Sequence, residues 1–113
     1  MHELSIALSI LEIAQKEALC HQAKKVTELE IEVGKLSGVD PEALAFVLES
    51  VVRNTPLDGC RVQILPIEGK YRCMSCGLEY LTPDMLTECP RCGSLNRELT
   101  GGKELKLKSL LID

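Results

Sequence analysis

Two cysteine pairs, Cys73-x2-Cys76 and Cys89-x2-Cys92 with twelve residues between them, limit what this chain can fold into more than any other feature. Two thiolates three residues apart can turn back onto one ion. Two such hairpins facing each other supply a tetrahedral sulfur shell, at about 2.3 Å per bond, of the kind that Zn2+ prefers. Gly77 and Gly93 each follow the second cysteine of a pair, where the turn calls for a positive φ, and Pro90 stiffens the second turn. The spacing between the pairs is a little shorter than is typical of zinc ribbons, yet the Cys-Pro-Arg-Cys-Gly run agrees with a metal knuckle. Two disulfides are the competing reading, and they require an oxidising compartment. The chain opens Met1-His2-Glu3 with no basic stretch, and Glu12 interrupts the first apolar run, so neither an export signal nor a membrane span is expected. Iron fits the same thiolates, but Phe46, Tyr71 and Tyr80 are too few to build its aromatic shell, and zinc is the better match. A closed shell of four thiolates leaves no open coordination position, so this ion holds structure and performs no chemistry.

With 113 residues the chain can hold one compact domain and one small metal-stapled module. A segment as short as residues 69–102 cannot bury enough apolar surface alone, and the ion supplies what its core lacks. The expected division is an α/β domain from residues 1–68 and 103–113, with the zinc module at 69–102. A formal charge of -4 argues against a phosphate-binding surface, since nucleic-acid binders concentrate Lys and Arg on one face. Tyr71 and Tyr80 flank the first cysteine pair and could stack on bases, but beside a knuckle they read more simply as its miniature core.

The remaining pattern predicts an α/β (α+β) fold. From Glu3 to about Gln22, Leu4, Leu8, Leu11, Ala14 and Ala18 fall on one helical stripe, widened by Ile6, Ile10 and Ile13. Thr27 to Val33 alternates strictly, with Leu29, Ile31 and Val33 on a dry face and Glu28, Glu30 and Glu32 on a wet one. Asp40 and Pro41 supply an N-cap and a first-turn proline for a second helix with Leu44, Val47, Leu48 and Val51 inward. Asn54-Thr55-Pro56 stops it. Cys60, Val62 and Ile64 mark a second strand that Pro66 ends. After Gly101-Gly102, Leu105 and Leu107 alternate with Lys106 and Lys108 in a third strand. Placed beside the first strand, its lysines would meet the glutamates across the wet face. Both helices are expected to pack on this small three-stranded sheet. Cys20 and Cys60 read as buried small hydrophobes, and His21 as a partner for the helix dipole.

The first residues suggest a second metal site. The α-amine of Met1, the backbone nitrogen of residue 2 and the His2 imidazole can close two adjacent chelate rings, with Glu3 adding a backbone or carboxylate donor. Such nitrogen-rich tetragonal sites suit Ni(II) or Cu(II). The amine, with a reference pKa of about 7.7–8.0, and the imidazole, at about 6.5, must lose protons to bind, so affinity falls in mild acid.

Together, Met1-His2-Glu3-Leu4-Ser5, Glu32-Val33-Gly34-x-Leu36-Ser37-Gly38-Val39, the paired cysteines and Gly102-Lys103-Glu104-Leu105-x-x-Lys108-Ser109 resemble the HypA/HybF nickel-insertion proteins of NiFe-hydrogenase maturation. The resemblance spans the whole chain. It implies a cytoplasmic metallochaperone, not an enzyme, that holds Ni2+ at His2 with Met1 and Glu3 beside it. By the same resemblance Cys73, Cys76, Cys89 and Cys92 hold a structural Zn2+. The implied partners are a HypB-type nickel GTPase and the hydrogenase large-subunit precursor, with no nucleic acid and no membrane, and a homodimer is compatible with it. Where the family commonly has Gly-Thr after the second helix this chain has Asn54-Thr55, and Asn also tolerates the left-handed conformation. The rival reading is a zinc-ribbon module that recruits protein or nucleic acid, with His2 incidental. No Gly-x-x-x-x-Gly-Lys-Ser/Thr loop occurs, so GTP hydrolysis would belong to a partner.

Overall fold

A computed structural model describes residues 2–82 and 86–113. Their order is α1 (His2–Cys20), β1 (Val26–Gly34), α2 (Pro41–Val51), β2 (Arg61–Ile67), β3 (Gly69–Cys73), β4 (Glu79–Thr82), β5 (Arg97–Gly101) and β6 (Leu105–Ile112). Two three-stranded sheets form, one in the order β2-β1-β6 and one in the order β4-β3-β5. The chain divides into two compact units, residues 1–32, 39–65 and 106–113 in the first and 33–38 and 66–105 in the second.

In the first unit α1 packs along α2. The alternation of β1 is realised as expected: Val26, Leu29 and Ile31 are fully buried while the glutamates between them keep contact with solvent. Lys106 reaches Glu32 at 3.3 Å, and the Ser109 hydroxyl donates to Glu30 at 2.5 Å, so β6 does lie beside β1 with opposite chemistry on the wet face. Asp40 caps α2, its carboxylate accepting from the backbone N–H groups of Glu42 and Ala43, with Pro41 in the first turn. Removing that cap by Asp40→Ala should cost about 1 kcal/mol, read as a lowered urea midpoint with unchanged slope. Past the helix, Asn54 takes φ 62°, the left-handed position that Asn accepts readily.

Three expectations need correction. The buried stripe of α1 is Ala7, Ile10, Ala14 and Ala18, while Leu4, Leu8 and Ile13 are 39–50% exposed. Small side chains let helices approach closely, and a reading by hydrophobicity alone favours the larger leucines. Strand β2 continues past Pro66 to Ile67, because it is an edge strand where the missing N–H costs no ladder bond. Cys20 is exposed at the last turn of α1, where the chain leaves through Gln22 at φ 54°, and Cys60 is only half-buried. The metal segment, expected as a zinc ribbon, carries its own antiparallel sheet, in which Tyr71 faces Tyr80 across β3 and β4 and Leu99 across β3 and β5.

In the second unit three stretches of backbone cross almost without side chains. A Cβ on Gly34 would lie 2.0 Å from the carbonyl oxygen of Gly102, and one on Gly102 would lie 2.5 Å from the Cα of Gly69. Hydrogen bonds lock the crossing, from Gly34 N–H to the Glu104 carbonyl at 2.6 Å and from Leu36 N–H to the Gly102 carbonyl at 2.7 Å. Lys35 pairs with Glu68 at its margin, at 2.5 Å.

Candidate metal centres

In the first pair Cys73 ends β3 and Cys76 lies in the turn towards β4, and the second pair lies on the loop that leads into β5. Each pair is shaped by the same backbone device. The N–H of Gly77 returns to the Cys73 carbonyl at 2.8 Å, and that of Gly93 to the Cys89 carbonyl at 2.8 Å. Both glycines have positive φ, 80° and 75°, with nothing within 4 Å of an added Cβ, so the requirement is conformational and not one of space.

The turns bring Cys73, Cys76, Cys89 and Cys92 together, their sulfur atoms all within 4.8 Å of one another. Cys73 and Cys92 approach to 3.5 Å and Cys76 and Cys89 to 3.6 Å. A disulfide needs about 2.05 Å, whereas the edge of a tetrahedron with Zn–S bonds of 2.3 Å is about 3.8 Å. All six cysteines are free thiols, so the residues fit an ion and not a pair of bridges. The electrostatics agree. The backbone of Leu78 first, and the Arg91 guanidinium beside it, lower Cys76 to about 6 and so hold a thiolate. Cys92, although the backbone at Ser94 pulls it down, is pushed up to about 12 by sharing hydrogen with Cys73 and its other sulfur neighbours. Four sulfurs this close cannot all carry charge alone, and a dication removes the conflict by deprotonating every ligand.

The sulfur cluster forms one wall of a small core with Leu36, Tyr71 and Tyr80, against which Leu78 and Leu99 pack. The tyrosine rings stack with centroids 6.0 Å apart, and Arg97 covers Tyr71 at 4.2 Å. Both tyrosines are therefore interior groups, with no face free for a base, which removes the main support for nucleic-acid recognition.

At the other candidate centre, Met1 and the side chain of His2 lie outside the described residues. The backbone of His2 opens α1. Glu3 is half-buried and its carboxylate accepts from the Asp40 N–H at 3.4 Å. The first turn of α1 is thus tethered to the N-terminus of α2, and the Asp40 carboxylate stands at the same corner. Sequence reasoning gave Asp40 only a capping role; the tether to a residue 37 positions away leaves no local sequence signal.

A thiolate-stapled module and an α+β domain in one chain, without a catalytic constellation among the described residues, define a metal-handling protein in which one ion site serves structure. A family model described as "Hydrogenase/urease nickel incorporation, metallochaperone, hypA" matches residues 1–112, and the chain belongs to this family. It is 40% identical over 112 residues to the hydrogenase maturation factor HypA of Parabacteroides distasonis, covering 99% of this chain and 97% of that one. To the hydrogenase maturation factor HypA of Albidiferax ferrireducens it is 34% identical over 113 residues, the full length of both. Its fold is that of the solution structure of the Ni metallochaperone HypA from Helicobacter pylori, with TM-score 0.69, 21% identity and coverage of 97% and 96%. The chain is thus a nickel metallochaperone of hydrogenase maturation and not an enzyme, with a structural zinc site and nickel as cargo.

Proposed function

We propose that Ni2+ is carried at the start of α1 by His2, with Met1 and Glu3 beside it, while Cys73, Cys76, Cys89 and Cys92 hold zinc permanently. Support comes from the tether of Glu3 to the α2 N-terminus, which fixes the first turn of α1 against a packed surface. Support for the second assignment is the sulfur tetrahedron, closed on all sides by thiolates and so unsuited to release. A site of few protein donors with an open edge binds moderately and passes its ion on by ligand exchange. The receiving proteins in this reading are a HypB-type GTPase and the hydrogenase large-subunit precursor, in the cytoplasm, and a homodimer is compatible with the reading. No described helix is long and apolar enough to cross a membrane.

Nickel titration followed by visible absorption tests the ligand set. The protein should take up one Ni2+ with the spectrum of a nitrogen-rich site, and His2→Ala should weaken uptake at least tenfold. A residue added ahead of Met1 relocates the amine and should do the same. Equal uptake by all three proteins would reject the site, and nickel appearing among the thiolates would exchange the two roles.

A further inference from the structure

Strand β6 ends its sheet, and no described strand pairs with its outer side. Opposite that free edge run Ile13 and Glu17 of α1 and His21 one residue past its end, residues four apart that share one face. Between row and edge lies a groove of about 460 Å3, bounded on the strand side by Leu107, Leu110 and Ile112. Its wall is apolar at Ile13, 50% exposed, and Ile112, 38% exposed, and polar at Glu17, His21, Lys108 and Ser109. Glu17 and His21 face each other at 3.7 Å. Lys108, also in the groove, has no ion-pair partner among the described residues.

We propose that this groove is a strand-addition site for an extended segment of a partner protein in which acidic and apolar residues alternate. An unpaired edge offers a row of N–H and C=O groups that only another extended backbone can satisfy in register. From Leu107 to Ile112 the edge runs about 17 Å, enough for some five residues. The composition of the occupant follows from the strand already seated on the other side of β6. There β1 presents Glu30 and Glu32 to Ser109 and Lys106, and turns Leu29 and Ile31 inward. Along β6 Lys106 and Lys108 are exposed while Leu105, Leu107 and Leu110 are half-buried, the alternation breaking where Lys108 and Ser109 are both exposed. In a strand added outside, carboxylates suit Lys108 and apolar side chains suit the groove under Ile13. A second copy of β6 is a poor occupant, because β6 holds no carboxylate to set against Lys108. The proposal does not depend on the nickel ligands.

The test uses the full-length, zinc-loaded protein without nickel, and as probe a synthetic peptide with the sequence of residues 26–33, whose acidic and apolar residues alternate. Amide NMR shifts and hydrogen exchange are read along the chain. Binding should shift β6 and the α1 row together and slow exchange at alternate β6 amides. Lys108→Glu should weaken binding about tenfold, and a peptide with lysine in place of each glutamate should recover it on that variant. Ile13→Asp, at a half-exposed position that leaves the fold intact, should weaken it similarly, while His2→Ala should change nothing. Shifts confined to other elements, or equal affinity for both charge variants, would overturn the proposal. So would slowed β6 exchange in the protein alone that grows with its concentration, since the occupant would then be a second copy.

Discussion

Stripping zinc with a chelator should unfold the β3–β5 module while the helical signal of α1 and α2 persists. The module's core is three side chains and a wall of sulfur, and binding of structural zinc is worth about 10–16 kcal/mol in small peptides at neutral pH, far beyond what so small a core supplies. The readout is unusually clean. The chain has two tyrosines and no tryptophan, and both tyrosines lie in this core, so tyrosine emission reports the module alone. Cys73→Ser should give the same result without chelator, because it breaks the shell at a residue only 1% exposed. Acid should act in the same direction. Cys76 is lowered from 9.0 to about 6, so its contribution is complete above the ordinary thiol value and is lost as the pH falls through about 6. The bound ion shifts this loss to still lower pH. Unchanged tyrosine emission after complete zinc removal would mean that the module stands without its ion.

Gly34→Ala should be the most damaging substitution outside the cysteines. The new methyl would meet backbone on three counts, the Gly102 oxygen at 2.0 Å, the Gly102 carbon at 2.3 Å and the Glu104 nitrogen at 2.7 Å. None of these is the tip of a flexible side chain that can swing aside, and the same atoms are fixed by the Gly34 and Leu36 hydrogen bonds. A cost of about 3 kcal/mol or more is expected, lowering the melting temperature on the order of 10 °C. Gly38→Ala is the matched control. Its φ of 81° carries a conformational penalty, but nothing lies within 4 Å, so it should cost only about 1–2 kcal/mol. Equal melting temperatures for the two variants would show that the crossing can open at little cost.

The contrast between these glycines also shows what can be read from sequence and what cannot. Gly77 and Gly93 were legible because a local rule, the turn after a cysteine pair, demands a positive φ at that position. Gly34, Gly69 and Gly102 are needed where distant segments cross, and no local rule marks them. The same distinction separates β1, whose strict alternation survives intact, from α1, whose buried face depends on how closely another helix approaches. Ala7, Ile10, Ala14 and Ala18 form a regular stripe, yet the leucines beside them are more apolar and hide it. The individual strands of the metal module leave little pattern in the sequence because they are only 4 or 5 residues long. Four cysteines in two pairs announce their ion by type and spacing. The tether from Glu3 to Asp40 announces nothing, being a contact across 37 residues of chain.

The placement of β1 at the centre of its sheet has a consequence for synthesis. Its neighbour β6 touches it through residues separated by 79 positions, from Glu30 to Ser109, with the entire zinc-holding stretch made in between. A nascent chain therefore carries an acidic half-formed sheet until β6 has been made, and pairing across so long a separation in sequence is slow. Loss of β6 would leave that central strand open along one side, a ready target for quality-control proteases.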